Sequence, residues 1–216
     1  MKYKGIIFDC DGTLVDTLGD ISASMNLALK GKGYPALPVE AYSDKVGWGI
    51  KRLAFLCLPE DVRTDELAAQ VAADASGFYA QSPLAYTKPY PGIPELIAEL
   101  KNRKLRLAVL TNKPDSVARL VIDGIFSPSA FDVIYGDTKG RPRKPDPACA
   151  WEILADLGLT TRDTIMVGDS EVDIETAKAS ECYSVGVTWG YRPRSVLEGS
   201  GAKLIIDKPE EILTLL

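Results

Sequence analysis

The sequence contains no histidine in 216 residues. Histidine is the commonest general base in enzymes and the usual partner of a serine or cysteine nucleophile. Its absence excludes Ser-His and Cys-His catalytic pairs and any histidine general base. Acid–base chemistry in this chain must therefore come from carboxylates, lysine, cysteine or tyrosine.

Paired cysteines, long apolar runs and an excess of positive charge are missing as well. No apolar run approaches the roughly 20 residues that span a bilayer, and the first one meets acidic residues too early for a signal peptide. The formal net charge of −5 disfavours nucleic acid or an anionic membrane as a partner. Four scattered cysteines without a CxxC motif indicate reduced thiols in a cytoplasmic protein: Cys10, Cys57, Cys149 and Cys182.

The most informative segment lies near the N-terminus. Ile6, Ile7 and Phe8 form a short continuous apolar run, which is typical of a strand buried on both faces of a parallel sheet. Asp9 and Asp11 follow, and because side chains alternate along an extended segment, both carboxylates are expected to point the same way. Two such carboxylates repel each other unless a cation lies nearby, and hard oxygen ligands suit Mg²⁺. The alternative interpretation is an Asp-rich turn that only caps the next helix.

The rest of the chain predicts an α/β fold with a helical insertion. Residues 16–84 carry helical patterns and no convincing strand, so we expect an inserted all-helical cap domain there. Residues 1–15 and 85–216 are expected to form a Rossmann-like core, a parallel sheet with helices on both faces, because strands and helices alternate. In such sheets the ligand lies beyond the carboxyl ends of the strands, where the winding reverses.

Polar residues follow two further strands of this predicted sheet. Thr111 and Asn112 offer hydrogen-bonding groups to an anion, although either residue is also a common helix cap. Asp169 and Asp173 are neighbours over one helical turn, and the alternative for them is a cap followed by a solvated helix. Lys144 lies in a loop between these two strands, where a lone lysine is usually solvated. Only the common position of these residues, at the same edge of the sheet, favours a site.

Four short motifs in order resemble those of the haloacid dehalogenase-like hydrolase superfamily, over essentially the whole chain. They are Asp9-Cys10-Asp11-Gly12-Thr13, Thr111-Asn112, Lys144-Pro145, and Gly168-Asp169-Ser170 with Asp173. The insertion between the first and second motifs is similar to that superfamily's helical cap. Further segments resemble its phosphoglycolate phosphatase branch, namely residues 46–49, 111–114 and 186–191.

The resemblance implies a role for each acidic residue. Asp9 is expected to attack phosphorus and form an aspartyl-phosphate, while Asp11 protonates the leaving alkoxide and later activates water. Mg²⁺ is expected to bind the Asp9 carboxylate, the Asp11 backbone carbonyl and Asp169. Ser170 and Asp173 are expected to lie behind the metal, where Asp173 orients metal-bound water.

The resemblance also implies contacts to the substrate. Thr111 and Lys144 complete the expected catalytic set, and the residues expected to bind the phosphoryl group are Gly12, Thr111, Asn112 and Lys144. From the cap, the residues expected to reach the substrate are Gly47, Trp48 and Arg52, with Lys51 a further candidate. The alternatives are that Trp48 packs between cap and core and that Arg52 is a solvated helix cation.

These features together predict a Mg²⁺-dependent cytoplasmic phosphatase of small phosphomonoesters. The branch resemblance implies phosphoglycolate as the substrate, and Asp11 favours phosphoryl transfer over dehalogenation because it can protonate an alkoxide. Two alternatives stay open: a phosphomutase similar to β-phosphoglucomutase, and a catalytically silent protein that binds phosphometabolites. We expect a small phosphorylated metabolite as partner, no nucleic acid and no membrane, and a monomer or homodimer.

Overall fold

The core of the computed structural model, which describes residues 3–216, is a six-stranded parallel sheet. In spatial order its strands are β5 (Val133–Asp137), β4 (Arg106–Pro114), β1 (Gly5–Phe8), β6 (Thr164–Gly168), β7 (Tyr183–Val187) and β8 (Leu204–Ile206). All four residues of β1 are buried, as expected for an apolar run in the middle of a parallel sheet. Because β1 pairs with both β4 and β6, the winding reverses at this strand. This arrangement confirms the predicted α/β fold.

Between β1 and β4 the chain forms a helical segment that begins and ends at two short strands. The strands β2 (Val15–Asp16) and β3 (Lys88–Pro89) pair antiparallel. Three α-helices lie between them: α1 (Leu18–Gly31), α2 (Ile50–Cys57) and α3 (Asp65–Gln81). Helix α3 packs against α1 and α2. The helical segment, called the cap below, thus matches residues 16–84 closely, and its status as a separate domain stays a prediction.

The remaining α-helices cover both faces of the sheet. They are α4 (Ile93–Asn102), α5 (Asp115–Ile125), α6 (Ala148–Leu157), α7 (Glu171–Ala179) and α8 (Arg194–Gly199). Ile6 and Phe8 of β1 pack into one apolar cluster with residues of α4 and α5, whereas Ile7 packs into another with residues of α6. Alternate residues of β1 therefore support opposite faces. No helix within residues 3–216 is both long and apolar enough to cross a membrane.

Strand β4 is longer than its apolar pattern predicts. The sequence predicts a strand over residues 105–110, yet β4 continues to Pro114 with a register shift after Leu110. Residues 111–113 are therefore extended and buried at the end of the sheet. Thr111 and Lys113, two residues apart, are expected to face the same side.

Candidate active site

The carboxyl ends of β1 and β6 bring together four buried charged side chains. Lys144 Nζ lies 2.7 Å from Asp9 Oδ1 and 2.6 Å from Asp173 Oδ1. Carboxylate oxygens of Asp9, Asp169 and Asp173 all lie within 4.8 Å of one another. Asp9 follows β1 directly and Asp169 follows β6, and because the two strands pair with Phe8 opposite Val167, Asp169 lies one residue beyond the level of Asp9. These four residues, called the acidic cluster below, are the centre of the site.

The acidic cluster contains three carboxylates and one ammonium. Burial raises the pKa of Asp9 to about 7, although Lys144 opposes the shift. Burial, together with Asp173 and Asp9, raises the pKa of Asp169 well above its usual range. Burial alone would lower the pKa of Lys144, but attraction to Asp173 and Asp9 outweighs it and raises that pKa, so the lysine is charged. Three carboxyl groups that face a single lysine need further positive charge to become fully ionised, and such a set of oxygen ligands fits a hard divalent cation such as Mg²⁺.

Two loops fix the Asp169 carboxylate. Thr13 Oγ1 donates to Asp169 Oδ1 at 3.1 Å, and the Tyr191 N–H donates to Oδ2 at 2.7 Å. Gly12, at φ +85°, lies so close that a Cβ there would collide with the Asp169 carboxylate. A Cβ at Gly190 would collide with Asp169 and with the Gly12 carbonyl. These loops approach Asp169 as closely as they do because glycine has no side chain.

The Asp11 carboxylate is bound by a different set of residues. Lys113 Nζ lies 2.9 Å from Asp11 Oδ1 and 3.3 Å from Oδ2, and Thr17 Oγ1 donates to Oδ1 at 2.7 Å. The hydroxyl of Tyr191 in turn accepts from the Thr17 N–H at 2.9 Å. Asp9 and Asp11 nevertheless line one cavity. Sequence reasoning assigned no role to Lys113, and the signal that could have found it is its position two residues after Thr111 in an extended segment.

Asn112 connects three segments of the chain. Its Nδ2 donates to the Gly47 carbonyl at 2.9 Å and to the Lys144 carbonyl at 3.0 Å, and its Oδ1 accepts from the Lys144 N–H at 2.9 Å. The side chain therefore holds the Lys144 loop and the cap at fixed positions. The N–H of Gly12 donates to the Val15 carbonyl at 2.9 Å. Both residues were expected to bind phosphate, and both have these groups engaged by the protein itself.

Asp173 has both a structural and an electrostatic role. Its Oδ2 accepts from the Ser170 hydroxyl at 2.6 Å and from the Ser170 N–H at 3.1 Å, which caps helix α7. Its Oδ1 pairs with Lys144. The two interpretations of this residue from sequence, helix cap and site residue, therefore describe the same side chain.

A cavity of about 60 Å³ lies between the acidic cluster and the cap. From the core, Asp9, Asp11, Thr111 and Asp169 line it, and from the cap its lining includes Gly47, Ile50, Leu53 and Tyr79. A single ordered water requires roughly 10–15 Å³, so the cavity has room for several waters or a small molecule. Its occupant must therefore be small.

Two predicted cap residues lie outside the lining of this cavity. The Trp48 Nε1–H donates to Glu171 Oε1 at 3.0 Å, at the start of α7, so the indole joins cap and core as the alternative interpretation proposed. Arg52 is exposed, with its guanidinium carbon 5.4 Å from the centroid of the Phe55 ring. Gly47 does line the cavity.

A core arginine that sequence reasoning missed binds the cap. Arg192 donates to the backbone carbonyls of Ser43 and Val46, the latter at 2.7 Å. Its Nε–H also donates to Glu171 Oε2 at 3.1 Å, so Arg192 and Trp48 share one glutamate. The loop that carries Gly47 is thereby attached to the core at the edge of the cavity.

Relatives with similar sequences include proteins named phosphoglycolate phosphatase. A relative from Rhodospirillum rubrum, named phosphoglycolate phosphatase, is 36% identical over 211 residues, which cover 94% of this chain and 87% of the relative. A phosphoglycolate phosphatase of Aquifex aeolicus is 31% identical over 186 residues, covering 86% of this chain and 85% of that protein. Together with the fold and the acidic cluster, these relatives assign the chain to the phosphoric monoester hydrolases.

The family can be stated more narrowly. The family model described as haloacid dehalogenase-like hydrolase matches residues 6–187. The chain therefore belongs to the haloacid dehalogenase-like hydrolase family, and within it to the branch that resembles phosphoglycolate phosphatase. A crystal structure of a predicted phosphoglycolate phosphatase from Haemophilus somnus is similar throughout, with a TM-score of 0.90, 27% identity, and coverage of 100% of this chain and 98% of that one.

Proposed function

We propose that this protein is a Mg²⁺-dependent phosphatase that hydrolyses 2-phosphoglycolate through an aspartyl-phosphate. The observation that carries the proposal is the acidic cluster, in which two buried aspartates from neighbouring strand ends face a small cavity. The names of the relatives support the substrate. A cavity of about 60 Å³ agrees with a substrate of few atoms. Four buried free cysteines agree with a reducing compartment such as the cytoplasm.

In this proposal the metal has defined ligands. The carboxylates of Asp9 and Asp169 and the backbone carbonyl of Asp11 would bind Mg²⁺, which when bound would offset the negative charge of the carboxylates and the phosphoryl oxygens. Asp173 is already engaged by Lys144 and Ser170. It would therefore hold Lys144 in place and orient water near the metal rather than bind it directly.

The chemical steps then belong to the two aspartates of the first motif. The Asp9 carboxylate attacks phosphorus, and the bond from phosphorus to the ester oxygen breaks, leaving an aspartyl-phosphate and an alkoxide that Asp11 protonates. Asp11 next takes a proton from the water that attacks the aspartyl-phosphate, which releases inorganic phosphate and restores Asp9. Lys144, 2.7 Å from Asp9, orients the nucleophile, and the Thr111 hydroxyl is available to a phosphoryl oxygen.

Phosphate release from 2-phosphoglycolate and p-nitrophenyl phosphate, with and without Mg²⁺, tests the proposal. We expect release that requires the metal. Asp9→Asn should abolish it, whereas Asp11→Asn, which removes only the acid–base contribution, should reduce kcat by about 10²–10⁴. An active Asp9→Asn protein would exclude Asp9 as the nucleophile. Isomerisation of a sugar phosphate without phosphate release would favour the mutase alternative, and binding without turnover would favour the silent one.

A further inference from the structure

Lys113 is a buried cation of the cavity that the proposed chemical steps do not use. Its side chain is 5% exposed and lies against Asp11, with Nζ–O distances of 2.9 and 3.3 Å. Nζ also lies 4.2 Å from the centroid of the Tyr79 ring, on cap helix α3. Within residues 3–216, Asp11 is the one carboxylate at ion-pairing distance from Lys113. An ammonium has three donors on a rotatable group, so it can bind a second anion beside Asp11.

The other cations near the cavity are already engaged. Within the described chain, Lys113 and Arg192 are the cations that line it. Arg192 donates to two cap carbonyls and to Glu171. Lys144 lies between Asp9 and Asp173. Lys113 is thus the cation best placed for the part of a substrate that is not transferred.

A second feature of the cavity points to a ligand at the same place. Tyr79 is 4% exposed and lines the cavity. Its hydroxyl has Lys113 and Thr87 as polar neighbours but makes no hydrogen bond of good geometry with either. Buried polar groups normally have a well-formed partner, so the Tyr79 hydroxyl is a candidate second donor to a molecule bound beside Lys113.

The chemistry of the leaving group determines what that molecule is. Asp11 must approach the ester oxygen closely enough to protonate it. Once Asp11 has given up its proton it is a carboxylate again, and a substrate carboxylate one methylene away from that oxygen would lie next to it and repel it. Lys113 lies against Asp11, where it can bind both carboxylates at once. A cation at this position helps to bind a leaving group that carries a carboxylate, whereas a neutral leaving group offers it no second negative charge.

We propose that Lys113 is a specificity-determining residue that binds a carboxylate of the leaving group, with the Tyr79 hydroxyl as a second donor. The inference rests on the proposed function and deepens it. The substrate class it assigns is the phosphomonoesters whose alcohol carries a carboxylate on the carbon next to the ester oxygen. Through Tyr79, the cap takes part in this recognition.

A matched pair of non-hydrolysable ligands tests the role of Lys113. 3-Phosphonopropionate has a carboxylate where propylphosphonate has a methyl group, and binding of each to the Mg²⁺-loaded protein is measured by calorimetry. Because a hydrogen bond to a charged group contributes about 1.5–3 kcal/mol, we expect the wild type to prefer 3-phosphonopropionate on the order of tenfold or more. Lys113→Met should lose most of this preference while its affinity for propylphosphonate changes by less than about twofold.

Three further variants separate recognition from folding. Lys32→Met removes a cap lysine that pairs with Asp74 at 3.3 Å outside the cavity lining, and should keep the full preference. Lys113→Arg keeps the charge and should restore part of it. Tyr79→Phe removes only the phenol oxygen and should weaken 3-phosphonopropionate alone, which tests the inference even where Lys113→Met does not fold. A preference that persists in Lys113→Met, or an equal loss for both ligands, would overturn the inference.

The same measurements keep the two proposals apart. A wild-type protein that releases phosphate from p-nitrophenyl phosphate but binds both phosphonates equally contradicts the role of Lys113 and leaves the phosphatase proposal intact. A wild-type protein that prefers 3-phosphonopropionate but hydrolyses no phosphomonoester contradicts the proposed function and supports carboxylate binding at Lys113.

Discussion

Lys144 has a 2% exposed side chain between Asp9 and Asp173, so its charge is compensated almost entirely by these two residues. Removal of one partner from a buried ion pair leaves an uncompensated charge, which costs much more than the pair itself contributes. Lys101 and Asp132, 3.3 Å apart, form a partly exposed pair for comparison. Exposed pairs contribute little because water screens them.

Lys144→Met should therefore destabilise the metal-free protein by about 3–5 kcal/mol, because two carboxylates lose their shared cation. Lys101→Met should change the free energy of unfolding by about 1 kcal/mol or less. Urea unfolding near neutral pH without divalent cations measures both. Equal effects of the two substitutions would contradict the view that Lys144 compensates the acidic cluster.

The positions of single site residues were predictable from the sequence where they belong to a motif of known chemistry. Asp9, Lys144 and Asp169 were expected at one point, because parallel strands end at one edge of the sheet. Lys113 and Arg192 were not assigned a role, since each gains its meaning from a partner far away in the chain. The pairing of Lys113 with Asp11 spans 102 positions of the sequence, and the contact of Arg192 with Val46 spans 146. Short-range patterns contain no such information.

Among the structural elements, the turn after β1 depends on one glycine. Gly12 and Gly33 both have positive φ, +85° and +81°. A Cβ at Gly33 would meet nothing within 4 Å, whereas a Cβ at Gly12 would collide with the Asp169 carboxylate. Both positions require a positive φ, but only Gly12 has a side chain of the site packed directly against it.

Gly12→Ala should therefore affect the site, and Gly33→Ala only stability. Each substitution places a side chain in the left-handed region, which costs about 1–2 kcal/mol. Only Gly12→Ala displaces Asp169, so only this variant should lose Mg²⁺ affinity or activity, on the order of 10- to 100-fold as for other substitutions that disturb the position of a metal ligand. Calorimetric Mg²⁺ titration and p-nitrophenyl phosphate hydrolysis measure the loss. A similar loss of metal affinity in Gly33→Ala would contradict a local effect at Asp169.

Most helices and strands of the core were predictable, and the exceptions have physical reasons. Helical patterns between residues 17 and 80 correspond to α1, α2 and α3 because their apolar faces repeat at helical spacing. Strands β2 and β3 contain two residues each, too few for an alternating pattern. Strand β4 continues beyond Leu110 although the polar residues there are typical of a loop, because buried partners satisfy their hydrogen bonds.

In the molecule as a whole, cap and core meet over a site in which the cations that contact the cap lie above a cluster of carboxyl groups in the core. Arg192 binds the cap from one side, and Lys113 contacts Tyr79 of the cap from the other. Beneath them the acidic cluster holds three carboxylates and one lysine. The stability of the molecule should therefore depend on how the negative charge of this cluster is compensated.

The pH dependence of stabilisation by Mg²⁺ tests this view. The folded-state pKa of Asp9 is about 7, above its value of 3.8 in an unfolded chain, and that of Asp169 is raised as well. Between these values the folded protein retains protons that the unfolded chain has lost, so the metal-free protein loses stability as the pH rises from about 4 through 7. Mg²⁺ binds the deprotonated carboxylates, so its stabilising effect should grow over the same range.

At about a hundredfold excess over its Kd, Mg²⁺ should stabilise the protein near pH 8 by about 2.7 kcal/mol, which for a chain of this size raises Tm by roughly 5–10 °C. Near pH 5 the same concentration should raise Tm much less, because protons occupy the carboxylates that the metal needs. Asp169→Asn, which removes a proposed ligand, should show a small Mg²⁺ shift at both pH values. Thermal unfolding with and without Mg²⁺ at the two pH values measures the difference. A Mg²⁺ shift that is independent of pH, or larger at low pH, would mean that the metal does not bind to Asp9 and Asp169.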